Sequence, residues 1–294
     1  MKKLLFSLIF FVFLFSSCSD TDKKPLVIST NTWVGYSPLF YAREMGWLKE
    51  INIELMSVVS LRESMHLYSA GVSDVFTGTQ HEFQKQREEF PALIPVILFD
   101  KSNGGDAIMS NIRLDALKNS DEKIEVFLEL DSINEEMLNS FIATHAISKK
   151  RLIIHNRIQD EIALMKNTAI SPMTLIVTYD PYINALKKNG FQEVANTKND
   201  QGLFVVDALY VSSELFYENH EQFIKLNKII QRSIGVLHSN PKEYYEKVKL
   251  YLDTPTYDEF LKMTTNIEWI HENPSKEVLN QMVKIEFPQK DIVQ

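Results

Sequence analysis

Apolar residues recur along the chain with two periods, and segments of the two kinds alternate. Short β-branched runs such as Leu26–Thr30 (LVIST) predict strands, whereas apolar residues three and four positions apart predict amphipathic helices. In the first third of the chain the patterns predict strands at 26–30, 51–59, 74–77 and 92–99, and helices at 38–45, 61–70 and 81–90. Pro95 places the fourth strand at a sheet edge or a bend, because proline has no N–H to donate.

A second alternating set follows, and the end of the chain has a helical pattern. The second set predicts strands at 123–130, 151–155, 174–178 and 208–212, and helices at 133–147, 160–167 and 181–188. Ser132 precedes Glu135 by three residues, which is a capping-box pattern. Beyond residue 214, helical spacing predicts a long apolar stripe and three further helices: Phe223, Leu226, Ile229, Ile230, Ile234 and Leu237, then 241–252, 256–265 and 275–285. Two alternating sets with a helical C-terminal part predict an α/β fold with two lobes.

The first residues predict export. Lys2 and Lys3 precede an apolar run over 4–15, and Ser16, Ser17 and Cys18 follow; a basic start, a short apolar stretch and small residues are typical of a signal peptide. The ending resembles a bacterial lipoprotein processing site.

We therefore expect residues 1–17 to be removed, Cys18 to be lipidated, and 18–24 to tether the fold to a membrane, facing the periplasm or the cell exterior. The alternative is a secreted protein whose only Cys is incidental. No later stretch has the roughly 20 apolar residues of a membrane span.

Composition and charge exclude several classes of protein. The 294 residues are 45% hydrophobic and 24% charged, which is typical of a globular chain. The net charge is −8 without a basic run, so we expect no nucleic-acid partner. One Cys excludes an internal disulfide. The seven His are scattered, and no phosphate loop, dinucleotide fingerprint or nucleophile elbow is present. We therefore expect no cofactor, no metal site and no enzymatic activity.

Six short stretches at turns between predicted elements carry a family resemblance. The first has the pattern W-x-G-Y-x-P-L-F-x-A-x-x-x-G-W and runs from Trp33 to Trp47. The others are 69–74 (SAGVSD), 100–108 (DKSNGGDAI), 132–134 (SIN), 177–182 (VTYDPY) and 206–209 (VDAL). In order and spacing they resemble substrate-binding proteins of ABC importers, in the nitrate/sulfonate/taurine group that includes pyrimidine-binding members.

The resemblance implies a two-lobed type II periplasmic binding protein fold. One lobe would hold residues 25–105 and 207–294, the other 106–206, with a small organic solute (sulfonate, taurine, pyrimidine or amine-like) in the cleft. The partners would be this solute and an ABC permease, and we expect a monomer. The alternative partner is a membrane signalling protein, for which the chain would act as a ligand-sensing receptor. An enzyme is disfavoured because the related pyrimidine synthases carry a Cys-rich motif absent here, and a purely structural lipoprotein because aromatics stand at the turns.

Thirteen residues are candidates for the ligand site because most of them lie at strand ends or helix starts, where α/β folds bind ligands. They are Asn31, Trp33, Tyr36, Ser37, Thr79, Asn103, Gly104, Asp106, Ser132, Asn134, Tyr179, Asp180 and Tyr182.

Each chemical group among them has two interpretations. Ser37 and Ser132 begin helices whose N–H groups hold an anion, or they only cap those helices. The aromatic residues form cleft walls or pack within a lobe. Asp106 and Asp180 pair with an amine or amidine, or cap a helix or turn. Apart from Arg43, Lys101 is the only cation in these motifs, which favours a cationic, zwitterionic or neutral ligand over a simple anion.

Overall fold

The computed structural model describes residues 24–199, 203–271 and 273–293. The predicted signal peptide, Cys18 and all but the last residue of the predicted tether lie outside the described residues. Among those described, no helix has the length and apolarity needed to cross a membrane.

The first sheet has six strands in the order β11-β4-β10-β3-β1-β2. They are β1 (Leu26–Thr30), β2 (Ile53–Ser57), β3 (Val75–Thr79), β4 (Leu93–Ser102), β10 (Val206–Ser212) and β11 (Ile267–Trp269). β1 pairs in parallel with β2 and β3, whereas β10 is antiparallel to both β3 and β4. Pro95 faces Tyr210 at a register shift, and β11 pairs only with the last residues of β4, so the proline lies beyond the end of β11.

The second sheet has five strands in the order β7-β6-β8-β5-β9. They are β5 (Asp106–Ser110), β6 (Ile124–Leu128), β7 (Leu152–Asn156), β8 (Thr174–Tyr179) and β9 (Gln192–Asn196). β5 is antiparallel to both neighbours, and β6 is parallel to both of its own. Below, the first lobe is the six-stranded sheet with its helices and the second lobe is the five-stranded sheet with its helices.

Helices cover the sheets and extend the C-terminal part of the first lobe. In the first lobe they are α1 (Ser37–Glu44), α2 (Trp47–Glu50), α3 (Leu61–Ser69), α4 (Gln80–Glu89), α9 (Ser213–Glu218), α10 (His220–Ser239), α11 (Pro241–Val248), α12 (Tyr257–Thr265) and α13 (Lys276–Lys284). In the second they are α5 (Leu114–Asn119), α6 (Ile133–Thr144), α7 (Gln159–Ala163) and α8 (Tyr182–Lys188). Short 3₁₀ turns lie at Val34–Tyr36, Lys149–Arg151 and Lys249–Tyr251. The predicted stripe of α10 is buried except for Ile229, which is partly buried.

The chain crosses between the sheets at 103–105 and again at 197–205, and the two crossings are in contact. The Ser102 N–H donates to the Val205 carbonyl at 2.9 Å. The Gly104 N–H donates to the Thr197 hydroxyl at 2.8 Å. Gly104 has a φ of +111°, a conformation that glycine adopts without strain. The predicted lobe boundaries at 105/106 and 206/207 stay a prediction.

Candidate functional site

The two lobes meet where α4 of the first lobe approaches the start of α6 in the second. Thr79 and Glu82 form a capping box at the start of α4. The second carboxylate oxygen of Glu82 accepts the Ile133 N–H, across the lobe boundary, at 2.9 Å. Lys85 pairs with Asp131 of the second lobe at 2.6 Å. One carboxylate therefore completes the N-terminus of a helix in each lobe.

A small cavity lies between the lobes next to this contact. Its volume is about 10 Å³, room for about one water molecule and far below the roughly 300–1,000 Å³ of most ligand pockets. Both lobes line it: Asn31, Trp33, Leu61, Thr79, Val205 and Asp207 from the first lobe and its crossing segment, and Asp106 and Tyr179 from the second. Thr79 and Tyr179 end their strands while Asp106 begins β5, so turns and strand ends form the walls.

Trp33 is held in place by two glycines and a carboxylate. Its indole N–H donates to Asp100 Oδ2 at 3.3 Å, and its ring meets Tyr179 edge to face at 6.0 Å. A Cβ on Gly35 would lie 1.8 Å from Asp100 Oδ2, and one on Gly105 would lie 2.5 Å from the Trp33 ring. Both glycines are therefore required for the indole to lie between the lobes.

Six buried carboxylates surround the boundary between the lobes. They are Glu82, Asp100 and Asp207 in the first lobe, and Asp106, Glu129 and Asp180 in the second. No Lys, Arg or His is buried among the residues that the structure describes. None of these carboxylates therefore has a buried cation among the described residues to compensate its charge, which makes the charged form of a buried carboxylate unfavourable.

Burial dominates the protonation of these groups. It raises the pKa of Asp106 to about 7; the Ser102 hydrogen bond opposes the shift, and the Asp180 carboxylate adds to it. It raises the pKa of Asp180 to about 6 against a hydrogen bond from Asn266. Burial also holds the pKa of Asp100 and of Asp207 well above the ordinary value, and repulsion from Asp100 raises the pKa of Asp207 further.

Two of the buried carboxylate oxygens have no hydrogen-bond partner among the described residues, Oδ2 of Asp106 and Oδ1 of Asp100. Both side chains are less than 5% exposed. Because a buried acceptor without a donor destabilises a fold, such atoms are rare and are often functional.

Of the thirteen candidate residues, five line the cavity: Asn31, Trp33, Thr79, Asp106 and Tyr179. The Asn31 amide donates to the Tyr179 hydroxyl across the lobe boundary at 3.3 Å. Asp106 begins β5 directly after the turn at 103–105, so it does not precede a helix, and its alternative interpretation as a turn cap stays a prediction.

Four other candidates make contacts around the cavity. Tyr36 donates to Asp207, and the Tyr182 hydroxyl lies 3.3 Å from that of Thr32 in the opposite lobe. Asp180 accepts from Asn266 at 2.9 Å, also across the lobes. The side chain of Asn134 is 1% exposed, and neither of its polar atoms has a partner among the described residues.

The remaining four have structural positions. The Ser132 hydroxyl accepts the Asn134 N–H at 3.3 Å and so caps α6. Ser37 does not cap α1 as predicted: it is the first helical residue, and its hydroxyl pairs with Tyr244 at 3.0 Å. The 3₁₀ turn before it moves the helix start by one position. Asn103 and Gly104 lie in the crossing segment.

Four important residues were not among the candidates: Leu61, Glu82, Val205 and Asp207. Asp207 lies in one of the resembling stretches, which was the available signal. Glu82 stands in a helix of strongly charged sequence, where a surface position is the usual expectation.

The site has the groups needed for non-covalent capture of a small molecule. Aromatic and aliphatic side chains can pack against an apolar group, and carboxylates can accept hydrogen bonds from polar groups. The described residues contain no group of three or more His, Cys, Asp or Glu side chains arranged to hold a metal ion.

Comparisons with known proteins connect this architecture to one fold. No protein-family model matches the chain, and no curated protein matches it. Among solved structures it is similar to the ligand-binding component of an ABC-type import system from Staphylococcus aureus, solved with zinc bound. The TM-score is 0.69 at 13% identity, over 92% of this chain and 97% of that one.

Two further solved structures are similar. The alkanesulfonate-binding protein SsuA from Xanthomonas axonopodis, bound to MOPS, has a TM-score of 0.67 at 12% identity, over 92% of this chain and 97% of that one. The nitrate-binding protein NrtA from Synechocystis has a TM-score of 0.62 at 12% identity, over 81% of this chain and 69% of that one. The chain therefore has the two-lobed α/β fold of periplasmic binding proteins, which confirms the fold predicted from the sequence.

Proposed function

We propose that this chain is an exported solute-binding lipoprotein of the nitrate/sulfonate/taurine group, which captures a small organic solute between its lobes and delivers it to an ABC importer. The observation that carries the proposal is the cavity at the lobe boundary, to which both lobes contribute polar and aromatic side chains. The similar structures include the ligand-binding component of an ABC-type import system, an alkanesulfonate-binding protein and a nitrate-binding protein, which supports a solute-binding role here.

Capture in this proposal is a hinge motion and needs no covalent chemistry. The paired crossings at 103–105 and 197–205 form the hinge, and closure brings Asn31 against Tyr179 and Thr32 against Tyr182. Rotation about two short segments is the usual way in which binding proteins close around a ligand. The closed form then docks on the permease, while a lipid on Cys18 keeps the protein at the membrane. Incorporation of labelled palmitate and association with membranes test the anchor, and we expect the Cys18→Ser variant to lose both.

A thermal-shift panel tests solute capture. A protein that starts at Ser19 keeps every described residue and lacks only the lipid and signal. The panel contains taurine, alkanesulfonates, nitrate, bicarbonate, pyrimidines, amino acids, polyamines and riboflavin. A ligand at 100 times its Kd adds about 2.7 kcal/mol, which for a chain of this size shifts Tm by about 5–10 °C.

Two tryptophan variants show whether the shift arises in the cleft. Trp33→Leu removes a cavity wall and abolishes the shift. Trp269→Leu removes an indole whose N–H donates to the Thr264 carbonyl within the first lobe, and it preserves the shift. A flat response of well-folded protein to the whole panel contradicts the proposal.

A further inference from the structure

The hydrogen-bond donors that line the cavity are largely used within the protein. The Asn31 amide donates to Tyr179, the Trp33 indole to Asp100, and the Thr79 hydroxyl to Glu82. The polar atoms of the cavity walls that are still available to a ligand are therefore mainly hydrogen-bond acceptors. Oδ2 of Asp106 is the clearest case, because this buried oxygen has no partner among the described residues.

The helix N-terminus that faces the other lobe is already bound by an anion of the protein itself. Glu82 accepts the Ile133 N–H at 2.9 Å, and Ser132 accepts the Asn134 N–H. The positive end of α6 is thus neutralised by a carboxylate. An anionic solute would have to displace Glu82, and it would meet Asp106 and Asp207 in the cavity.

The other cavity walls suit an organic group. Leu61 and Val205 are aliphatic, and Trp33 and Tyr179 present their rings from opposite lobes. Aromatic rings attract cations through the negative charge of their faces. Because the volume between these walls is only about 10 Å³, an organic solute enters only when the lobes move apart.

We propose, on the basis of the proposed function, that the solute is an organic cation with N–H donors, an ammonium or amidinium, which Asp106 and Asp207 bind from opposite lobes. The N–H groups supply the missing donors to Oδ2 of Asp106 and compensate the charge of the carboxylates. Trp33 and Tyr179 enclose the apolar part. Because one carboxylate comes from each lobe, the cation also joins the lobes.

Matched ligands separate charge from shape. Isothermal titration of the protein that starts at Ser19 compares benzamidine with benzamide and benzenesulfonate, and butylamine with butyramide and butanesulfonate. Guanidinium, putrescine and zinc ion complete the set. We expect a cation of the set to bind at least about 10-fold more tightly than its neutral and anionic counterparts, because a charge-assisted hydrogen bond is about twice as strong as a neutral one.

Two variants locate the recognition. Asp106→Asn keeps the shape of the side chain, and we expect it to weaken cation binding by about 10–100-fold while the neutral counterpart loses little. This change in preference distinguishes recognition from a structural role, which would weaken both ligands alike. Asp207→Asn gives a second, independent variant on the other lobe. Asp115→Asn on the exposed face of α5 is the control and leaves binding unchanged.

Each other outcome contradicts the inference. If the neutral or sulfonate ligand of a matched set binds more tightly than the cation, the inference of a cationic solute is wrong and the proposed function is unaffected. Tighter binding of zinc overturns the organic class. Equal loss of cation and neutral ligand in Asp106→Asn overturns the role of the carboxylate. If no cation of the set binds, the inference fails, and if the broader solute panel is also flat, the proposed function fails with it.

Discussion

The substitution Asp106→Asn should make the ligand-free protein more stable above neutral pH. The side chain is 4% exposed, and Oδ2 has no donor among the described residues. Its neighbours are also acidic. The Asp180 and Glu82 carboxylates both raise the pKa of Asp106, and the charge of Asp106 raises the pKa of Asp100 and of Asp207. Asparagine has nearly the same shape and carries no charge.

The size and sign of the effect follow from the pKa. In the folded protein the pKa is raised to about 7, whereas an unfolded Asp has a pKa of about 3.9. Below about pH 4 both states are protonated, and the group has no net effect. Between about pH 4 and 7 the unfolded state releases its proton while the folded state keeps it, so stability falls as pH rises. Three pH units at about 1.4 kcal/mol each give about 4 kcal/mol as the upper limit.

The measured gain will be smaller because the neighbouring carboxylates adjust when Asp106 is neutral. We expect the variant to match the original protein near pH 4.5 and to exceed its free energy of unfolding by about 2–4 kcal/mol at pH 8. Urea denaturation at half-unit steps of pH measures the difference, with equal m values as a check that both unfold alike. A difference that does not vary with pH, or a variant that is less stable at pH 8, would refute the reasoning.

Asp131→Asn is a control of opposite sign. Asp131 has a φ of +60°, which asparagine tolerates, and the hydrogen bond from Lys85 lowers the pKa of its carboxyl. Its contribution to stability is present above the unfolded pKa and is lost as the pH falls. The variant should therefore be less stable than the original protein at pH 8, and the difference should vanish in acid.

Two further substitutions test the contacts between the lobes. Glu82→Ala removes the acceptor of the Ile133 N–H and should lower the free energy of unfolding by about 1–3 kcal/mol and increase the radius of gyration in small-angle scattering; an unchanged radius would contradict the role of Glu82 between the lobes. Gly105→Ala places a Cβ 2.5 Å from the Trp33 ring and should cost about 1–3 kcal/mol in urea denaturation, whereas Gly235→Ala, with nothing within 4 Å of the added Cβ, should stabilise its helix by up to about 1 kcal/mol.

The fold was largely predictable because its strands are rich in β-branched residues and its helices have clear apolar stripes. Three short strands escaped prediction. β5 (DAIMS) follows a glycine pair, and β9 (QEVAN) is a polar edge strand that pairs with β5 alone. β11 has three residues and pairs only with the end of β4. Such strands are fixed by their partners in the sheet rather than by their own sequence.

The cavity was less predictable because its charged residues come from distant parts of the chain. Asp207 is the second residue of a buried strand. An Asp next to an apolar run usually marks an exposed strand end, and the hydrophobic pattern around Asp207 does not show that its carboxylate is buried. Glu82 is buried where α4 meets the start of α6 in the second lobe. Position at a turn identified Trp33 and Tyr179, but burial across a lobe boundary has no periodic signal in a sequence.

Under the proposed function, the distribution of buried charge would explain how closure depends on a solute. Asp207 belongs to the first lobe and Asp106 to the second, and both line one cavity. When both are ionised, they repel each other across the boundary and oppose the hydrogen bonds that hold the lobes together, such as that of Asn31 with Tyr179. A cation between them would attract both carboxylates, and it can contact both of them only when the lobes are closed. In this scheme the ligand-free protein opens more readily at a pH high enough to ionise both Asp106 and Asp207, whose pKa values are both raised by burial, and the cation restores closure. The buried carboxylates would then destabilise the closed form for the same reason that they recognise the solute.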